Sequence, residues 1–510
     1  MKFNNRSRQL NSILSSSAGM LNQFIQIIGN FVYRTIFLQV LTTEYLGING
    51  LFSNILQVFS LAELGIGSAI LYNMYGAFAN QDTKKIGQLV HFYKRIYTIL
   101  ALIILGIGLA FYPFLSTIVR VEEIPSDVSL TAVYFLFVLN SVASYLFVYK
   151  QSLLSADQKE HLVQLFHTLV TVLGYVVKIT LLCTCRDYVA VLASGVIVTI
   201  LLNWLFSLWI TNRYRSVFDE ASRLPSAEKK EIYKSTRGLM CHKIGSVVVS
   251  STDSIVISKY VSLLAVGLYS NYGTIVTSIT RVGISLINGM LPSIANYAVK
   301  APKEDSYRTM KRILFANMWL ASLTTVCLYC LLNPFITCWL GESFLLTQAV
   351  VAVVCLQHYM QTARLTVNNF VYSAGLFMRD KIRPLIESAL NLLISIILAK
   401  QYGIIGVFIG TCVSGLLTYF WREPYLLFKN YFGFSSFGYW WIQLKWLALT
   451  AALCGGMQWL FSLLPGGWLW LIVRFGLAAL IPNVVILLLH LPSDEFTYFF
   501  AFLKRKFLRR

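Results

Sequence analysis

The feature that most constrains this chain is a succession of about fourteen apolar runs, each near the roughly 20 residues a helix needs to cross a hydrocarbon core of about 30 Å. They lie near residues 12–41, 46–76, 91–119, 128–153, 162–183, 188–212, 236–260, 265–298, 311–338, 347–375, 383–400, 404–428, 440–462 and 467–492. Within each run the apolar residues are continuous. A membrane barrel would instead alternate apolar and polar positions along each strand. Only helices and closed barrels satisfy their backbone polar groups inside lipid, so an all-α polytopic membrane protein is expected. Composition agrees, with 57% hydrophobic and 13% charged residues where a soluble domain carries about 25% charged.

Lys2, Arg6 and Arg8 precede an apolar run that continues to about Leu41. That run is longer than a signal-peptide core, so it is read as helix 1. With a cytoplasmic N-terminus, most of the 42 Lys and Arg fall in the N-terminal arm, the loops on the same side and the tail KRKFLRR. The opposite loops hold Arg120, Arg186, Lys259 and Lys400. The positive-inside bias therefore places both termini in the cytoplasm. The net charge of +20 is spread over many loops, which suits topology and anionic headgroups; no nucleic-acid partner is expected.

The five residues GLFSN at 50–54 return almost unchanged as GLYSN at 267–271. Each copy opens an apolar run, the second and the eighth. The correspondence maps helices 1 to 6 onto helices 7 to 12, and an even number per unit makes both halves cross the bilayer in the same sense. This is a parallel repeat, related by an axis along the membrane normal. The expected organisation is an N-terminal lobe at 1–212, a polar cytoplasmic linker at 213–235, a C-terminal lobe at 236–430, and two further helices with a basic tail at 431–510.

Polar residues form stripes on five of these helices. Helix 1 carries Asn22, Gln26, Asn30 and Arg34 at steps of four, on one slowly drifting face. Helix 2 carries Asn49, Ser53, Gln57, Ser60 and Glu63; helix 7 carries His242, Ser246, Ser250 and Asp253. Helix 8 carries Asn271, Thr274, Ser278, Arg281, Ser285 and Asn288, and helix 10 carries Gln357, Gln361, Arg364 and Asn368. An arginine or aspartate at the bilayer centre costs about 2.5 to 3.5 kcal/mol on insertion scales. The stripes must face one another or water. Single Ser, Thr and Asn residues serve as interhelical glue, worth about 0.6 kcal/mol each. Five long stripes with ionisable members on repeat-related helices point to a central hydrated cavity.

At 1.5 Å per residue, Arg281 and Arg364 lie about 24 to 27 Å along helices entering from outside. Arg34 and Asp253 occupy the outer half of helices entering from inside. Three arginines (Arg34, Arg281, Arg364) against two carboxylates (Glu63, Asp253) make the cavity cationic and suit it to an anionic load. The planar guanidinium makes two charge-assisted hydrogen bonds to a phosphate at once. An ion pair between Arg34 and Asp253 is the structural alternative to a binding role. Lys178 and Arg474 read as snorkelling or packing charges, and Lys445 as interfacial.

The segments EYLGINGLFSNILQVFSLAELGIGSAI (44–70) and STDSIVISKYVSLLAVGLYSNYGTIVTSI (251–279) resemble the corresponding helices of the polysaccharide transporters. These are O-antigen and capsule-type lipid-linked oligosaccharide flippases of the superfamily that also holds multidrug extruders and lipid II flippases. The resemblance implies two six-helix lobes around a central cavity lined by helices 1, 2, 7 and 8. It implies a load of undecaprenyl-diphosphate-linked oligosaccharide, flipped from the inner to the outer leaflet of the bacterial cytoplasmic membrane by alternating access, for cell-surface polysaccharide biosynthesis. Arg34, Arg281 and Arg364 match the diphosphate-binding arginines by helix and facing. Glu63 and Asp253 are the candidate switches, coupled to H+ or Na+ if to any ion. Membrane lipids and the polysaccharide polymerase machinery are the implied partners.

Other classes fit less well. An ion-coupled multidrug or cation extruder of the same fold would want a carboxylate-rich cavity. A membrane glycosyltransferase or polymerase would present a substantial catalytic outer loop, whereas the outer loops here are short, and the adjacent Glu122 and Glu123 read as loop solvation. No GxxxxGK[ST] phosphate loop occurs for an ATP-driven pump. Cys327 and Cys330 form a CxxC inside an apolar run without nearby ligands to complete a metal site, so they read as helix-packing residues; no metal or cofactor is expected.

Overall fold

In a computed structural model the protein is described at residues 5–59, 66–119, 124–220, 222–288 and 302–498. No strand occurs among them. Eight helices among the described residues have the length and apolarity to cross a bilayer, from Thr83–Ile118 to Trp468–His490. The chain is an all-α, multi-pass membrane protein. It divides into two compact units, Met1–Gly267 and Leu268–Arg510.

The first unit contains α1 (Asn5–Val40), α2 (Thr43–Phe59), α3 (Ile66–Ala79), α4 (Thr83–Phe111), α5 (Leu130–Ala156), α6 (Glu160–Cys185), α7 (Tyr188–Arg213) and α8 (Ser226–Tyr260). Local chemistry sets several of its starts. Asp82, Ser129 and Asp187 each accept a backbone N–H from the first turn that follows, satisfying donors that a helix leaves open at its N-terminus. Helix α1 lies along α6, α4 along α5, and α2 along α8. Ile48, Leu51, Phe52, Leu89, Tyr134 and Leu153 form the centre of its core.

The helices that carry the two pentapeptide copies, Thr43–Phe59 and Leu263–Asn288, approach each other near their starts at Gly47, just before GLFSN, and Gly267, the first residue of GLYSN. A Cβ on Gly47 would lie 2.3 Å from the carbonyl oxygen of Leu263, and one on Gly267 would lie 2.3 Å from that of Thr43. Backbones approach this closely only where a side chain is missing, as small residues allow in membrane helices. Gly76 has no atom within that reach. Gly47→Ala is therefore expected to lower the Tm of the solubilised protein, with overpacking of about 1–3 kcal/mol, while Gly76→Ala, inside a helix and free of any clash, should hold or slightly raise it because alanine is the better helix former. Equal melting of the two variants would show that the close approach is absent.

The second unit contains α9 (Leu263–Asn288, apart from its first turn), α10 (Lys303–Leu340), α11 (Gln348–Ala363), α12 (Leu365–Ser373), α13 (Arg383–Tyr402), α14 (Ile404–Gly415), α15 (Trp421–Leu427), α16 (Phe437–Ser462) and α17 (Trp468–His490). Helix α10 is its spine, with α11, α16 and α17 laid against it. Met318, Ala321, Phe370, Leu427, Phe428 and Trp446 fill the core. Gly403, at φ +64°, turns α13 back into α14. Gly406 and Gly410 then press on Leu398 and Ser395, where a Cβ would meet backbone atoms at 2.2 Å and 2.7 Å.

The repeat limits read from the sequence say which helices correspond; the compact units say which helices pack. Helix α8, the expected start of the second repeat, packs on α2 and α3 within the first unit.

Candidate functional site

In the first unit the stripe on α1 begins as a hydrogen-bond relay. Gln26 donates to Asn22 Oδ1 at 3.3 Å, Asn22 donates to Gln164 Oε1 at 3.2 Å, and Gln164 donates to Glu160 Oε1 at 2.8 Å. Asn22 and Gln26 thus fasten α1 to α6, the glue that amides supply between membrane helices. Asn30 is half-buried further along α1, and Arg34 is 7% exposed. On the facing helices Lys178 lies 5.9 Å from the Tyr33 ring centre, and its stem fills the space a side chain at Gly195 would need.

On α2, Ser53 and Gln57 are exposed and Asn49 is half-buried. Asn54, the last residue of GLFSN, donates to Ser254 Oγ and to the Gly50 carbonyl, both at 2.9 Å. Asp253, beside that contact on α8, is 8% exposed. Ser60 and Glu63, and the side chains of His242, Ser246 and Ser250, lie outside the described residues.

The second unit treats its two arginines differently. On α9 the stripe runs from Asn271 through Thr274 and Ser278 to Arg281. The hydroxyls of Thr274 and Ser278 donate back to carbonyls four residues earlier at 2.8 Å. Arg281 is exposed and has no hydrogen bond or ion pair among the described residues. Asn271, last residue of GLYSN, is 0% exposed, and neither end of its amide has a partner among the described residues. The repeated pentapeptides therefore place one asparagine in a helix-to-helix bond and the other in a buried, unsatisfied position.

Arg364 occupies the break between α11 and α12. Its Nη2 donates to Glu423 Oε1 at 2.6 Å, and its guanidinium carbon lies 3.9 Å from the centre of the Tyr419 ring. The same carboxylate oxygen accepts Asn368 Nδ2 at 3.1 Å and Arg383 Nη2 at 3.1 Å. Arg383 also donates from Nε to Asp380 at 2.7 Å and from Nη1 to Glu387 at 2.6 Å; Arg422 reaches Asp380 at 3.7 Å. Glu423 is 1% exposed. A π-helical turn at Leu416–Phe420 precedes α15, which contains Pro424; it is the kind of ladder adjustment that a missing N–H provokes, and it is frequent at functional sites.

Sequence reading had set three arginines against Glu63 and Asp253 alone. Asp380, Glu387 and Glu423 were missed, although Glu423 interrupts the apolar run TYFWREPYLLF. The structure commits Arg364 and Asn368 to Glu423 and leaves Arg281 presented. Gln357 is half-buried and Gln361 exposed on α11. Between them on the same helix, buried His358 joins three helices, with Nδ1 2.8 Å from Thr280 Oγ1 and Nε2 2.9 Å from Thr324 Oγ1.

The cysteines of the CxxC pair serve packing: the Cys327 thiol points at the Ala478 carbonyl and the Cys330 thiol at that of Cys454. Arg474 donates to the Phe461 and Leu464 carbonyls at 3.1 Å and 2.7 Å, closing the turn between α16 and α17. Outside the spans, Tyr214 and Lys159 both donate to Asp157 at 2.5 Å. Burial, together with that carboxylate, pushes the Tyr214 hydroxyl above its ordinary value.

No family model matches the chain, and no curated protein sequence does. Solved structures do. A structure described as the lipid II flippase MurJ in an inward closed conformation aligns with 94% of this chain and 99% of its own, at a TM-score of 0.67 and 14% identity. An inward-facing multidrug resistance MATE family transporter of the MOP superfamily aligns over 82% of this chain and 99% of its own, at 0.59 and 13%. An outward-facing MATE transporter of the same superfamily aligns over 86% and 96%, at 0.50 and 15%. The chain shares the fold of MurJ and of the MATE transporters of the MOP superfamily.

Proposed function

We propose that this chain is a membrane transporter that flips an undecaprenyl-diphosphate-linked oligosaccharide from the inner to the outer leaflet of the bacterial cytoplasmic membrane by alternating access, in the service of cell-surface polysaccharide synthesis. The observation that carries the reading is Arg281: a cation on the polar stripe of a membrane helix, exposed and without a hydrogen-bond or ion-pair partner among the described residues. A permanently charged fork in that setting is matched by a mobile anion, and a diphosphate offers the bidentate oxygens that a guanidinium prefers. The fold shared with a structure described as a lipid II flippase supports a lipid-linked load. The oligosaccharide would meet the Asn, Gln, Ser and Thr of the stripes. Arg34 is a second candidate for the diphosphate, whereas Arg364 is held by Glu423. Asp253 and Glu63 are the proposed switches for H+ or Na+, since a load or ion drives a cycle only by binding its states unequally.

A second reading, a multidrug or cation extruder, is favoured by the shared MATE fold and by buried Asp253. Against it, Glu423, Asp380 and Glu387 are all held by arginines, which leaves them poorly placed to receive a cationic load. Leaflet-resolved quantification of polyprenyl-diphosphate oligosaccharides in cells depleted of the protein separates the two. Accumulation on the cytoplasmic leaflet, relieved by a restored copy, supports the flippase; unchanged distribution with lost efflux of a cationic dye supports the extruder.

A further inference from the structure

Helix α3 lies against α4, α5 and α8, and Ile70, Met74 and Ala77, all buried, share one of its faces. The opposite face carries Tyr72 and Tyr75, which are 77% and 45% exposed. At a spacing of three they are neighbours on the helix surface. Gly76 lies beside them, with no atom within 4 Å of where a Cβ would sit. Elsewhere in this unit rings are paired, as Tyr33 is with Tyr175 and Phe52 with Tyr134. Neither Tyr72 nor Tyr75 has a ring contact or a hydrogen bond among the described residues.

The Tyr75 hydroxyl is within electrostatic reach of the Glu160 carboxylate at the start of α6. Glu160 accepts Gln164 on Oε1 and has no cation partner among the described residues, since the adjacent Lys159 is turned to Asp157. It ends the relay of Gln26, Asn22 and Gln164. A carboxylate without a cation is costly in hydrocarbon, so Glu160 is kept in water and the Tyr75 hydroxyl beside it is wet as well. Open ring faces and a carboxylate free of cations thus come together at one end of the first unit.

A pyranose ring has two kinds of surface. Its C–H groups make an apolar face that rests on an aromatic ring, and its hydroxyls donate to a carboxylate in short hydrogen bonds, about twice as strong as neutral ones. A few polar groups placed beside apolar walls are what fix the orientation of a small ligand. We propose that Tyr72, Tyr75 and Glu160 form a sugar platform for the transported lipid, on which a pyranose stacks against the tyrosines and donates its hydroxyls to Glu160. The proposal rests on the lipid-linked glycan reading above and adds the residues that distinguish the glycan-bearing lipid from the bare polyprenyl diphosphate.

The test uses the full chain purified in detergent and two radiolabelled probes, undecaprenyl diphosphate and the same lipid carrying a chitotriose, with the dissociation constant of each measured at equilibrium. The wild type should bind the glycan-bearing probe more tightly. Tyr72→Ala, at an exposed position, should weaken that probe roughly three- to tenfold, as expected for one aromatic stack, and leave the bare lipid unchanged. Tyr72→Trp, which keeps a ring, should retain the preference. Glu160→Gln should weaken the glycan-bearing probe about fivefold, the difference between a charged and a neutral acceptor. Equal affinity of the wild type for both probes would overturn the platform, as would a Tyr72→Ala variant that keeps the preference. Equal weakening of both probes by Tyr72→Ala would also overturn it, because the ring would then be touching lipid. Binding of the bare lipid without a glycan preference leaves the proposed load standing; binding of neither probe removes the load and the platform together.

Discussion

Glu423→Ala is expected to abolish accumulation of folded protein. The carboxylate is 1% exposed, and one of its oxygens accepts from Arg364, Asn368 and Arg383. Removing it leaves one guanidinium without its only carboxylate among the described residues and another deprived of one of three. Breaking a buried pair from one side costs about 3–5 kcal/mol, comparable with the whole stability of many domains, about 5–15 kcal/mol. The readout is the monodisperse peak of a fluorescently tagged protein on size-exclusion chromatography. Glu423→Gln keeps shape and an acceptor but loses the charge, so an intermediate yield is expected. Adding Arg364→Leu to Glu423→Leu should recover part of the loss, because an apolar pair can replace an ionic one when both charges go. A wild-type peak for Glu423→Ala would show that Arg364 has another partner and would return it to the candidate diphosphate ligands.

Arg281→Ala should do the opposite: normal insertion and yield, with transport lost. The side chain is exposed and holds nothing in place among the described residues, so truncation exposes no partner. Hydrogen bonds to charged groups contribute about 1.5–3 kcal/mol each, so losing the fork should slow transport by roughly ten- to hundredfold or more. Arg281→Lys retains charge without the two-pronged geometry and should keep only part of the rate. Transport equal to wild type in Arg281→Ala, at matched protein levels, would remove Arg281 from the site. Equal rates for lysine and arginine would argue against two-pronged recognition.

Much of the fold was legible because membrane helices announce themselves through length and continuity of apolar residues, and both depend on local sequence alone. The second pentapeptide copy opens on Gly267, which makes a close backbone contact, but its partner glycine, Gly47, lies three residues before the first copy, and repeat arithmetic does not say which helices pack. That is why α8 belongs with α2 in the first unit while corresponding in sequence to α1. Periodicity located the polar stripes but not their neighbours. Asn22 and Gln26 share a face with Arg34, yet their hydrogen bonds lead to Gln164 on α6, a choice made by helix packing across a long stretch of chain.

The ion network around Glu423 was hidden for the same reason. Its arginines and acids come from the end of α11, the start of α13 and α15, separated by tens of residues. Only Arg383 with Asp380 and Glu387, three and four residues away in sequence, carries a local signal. The break at Arg364 was equally silent: it contains neither Pro nor Gly, and the helix simply yields there. Arg281 was found because a charge on a membrane helix is costly enough to be conspicuous wherever it points.

The central claim is that the load is an anionic lipid-linked glycan, and reconstituted vesicles test it most directly. The purified chain is placed in liposomes carrying an undecaprenyl-diphosphate oligosaccharide, and glycan in the opposite leaflet is followed with an impermeant glycosidase, alongside uptake of a cationic dye. The account predicts glycan transfer with the wild type, its loss with Arg281→Ala, and no dye transport by either. Dye transport without glycan transfer would contradict it.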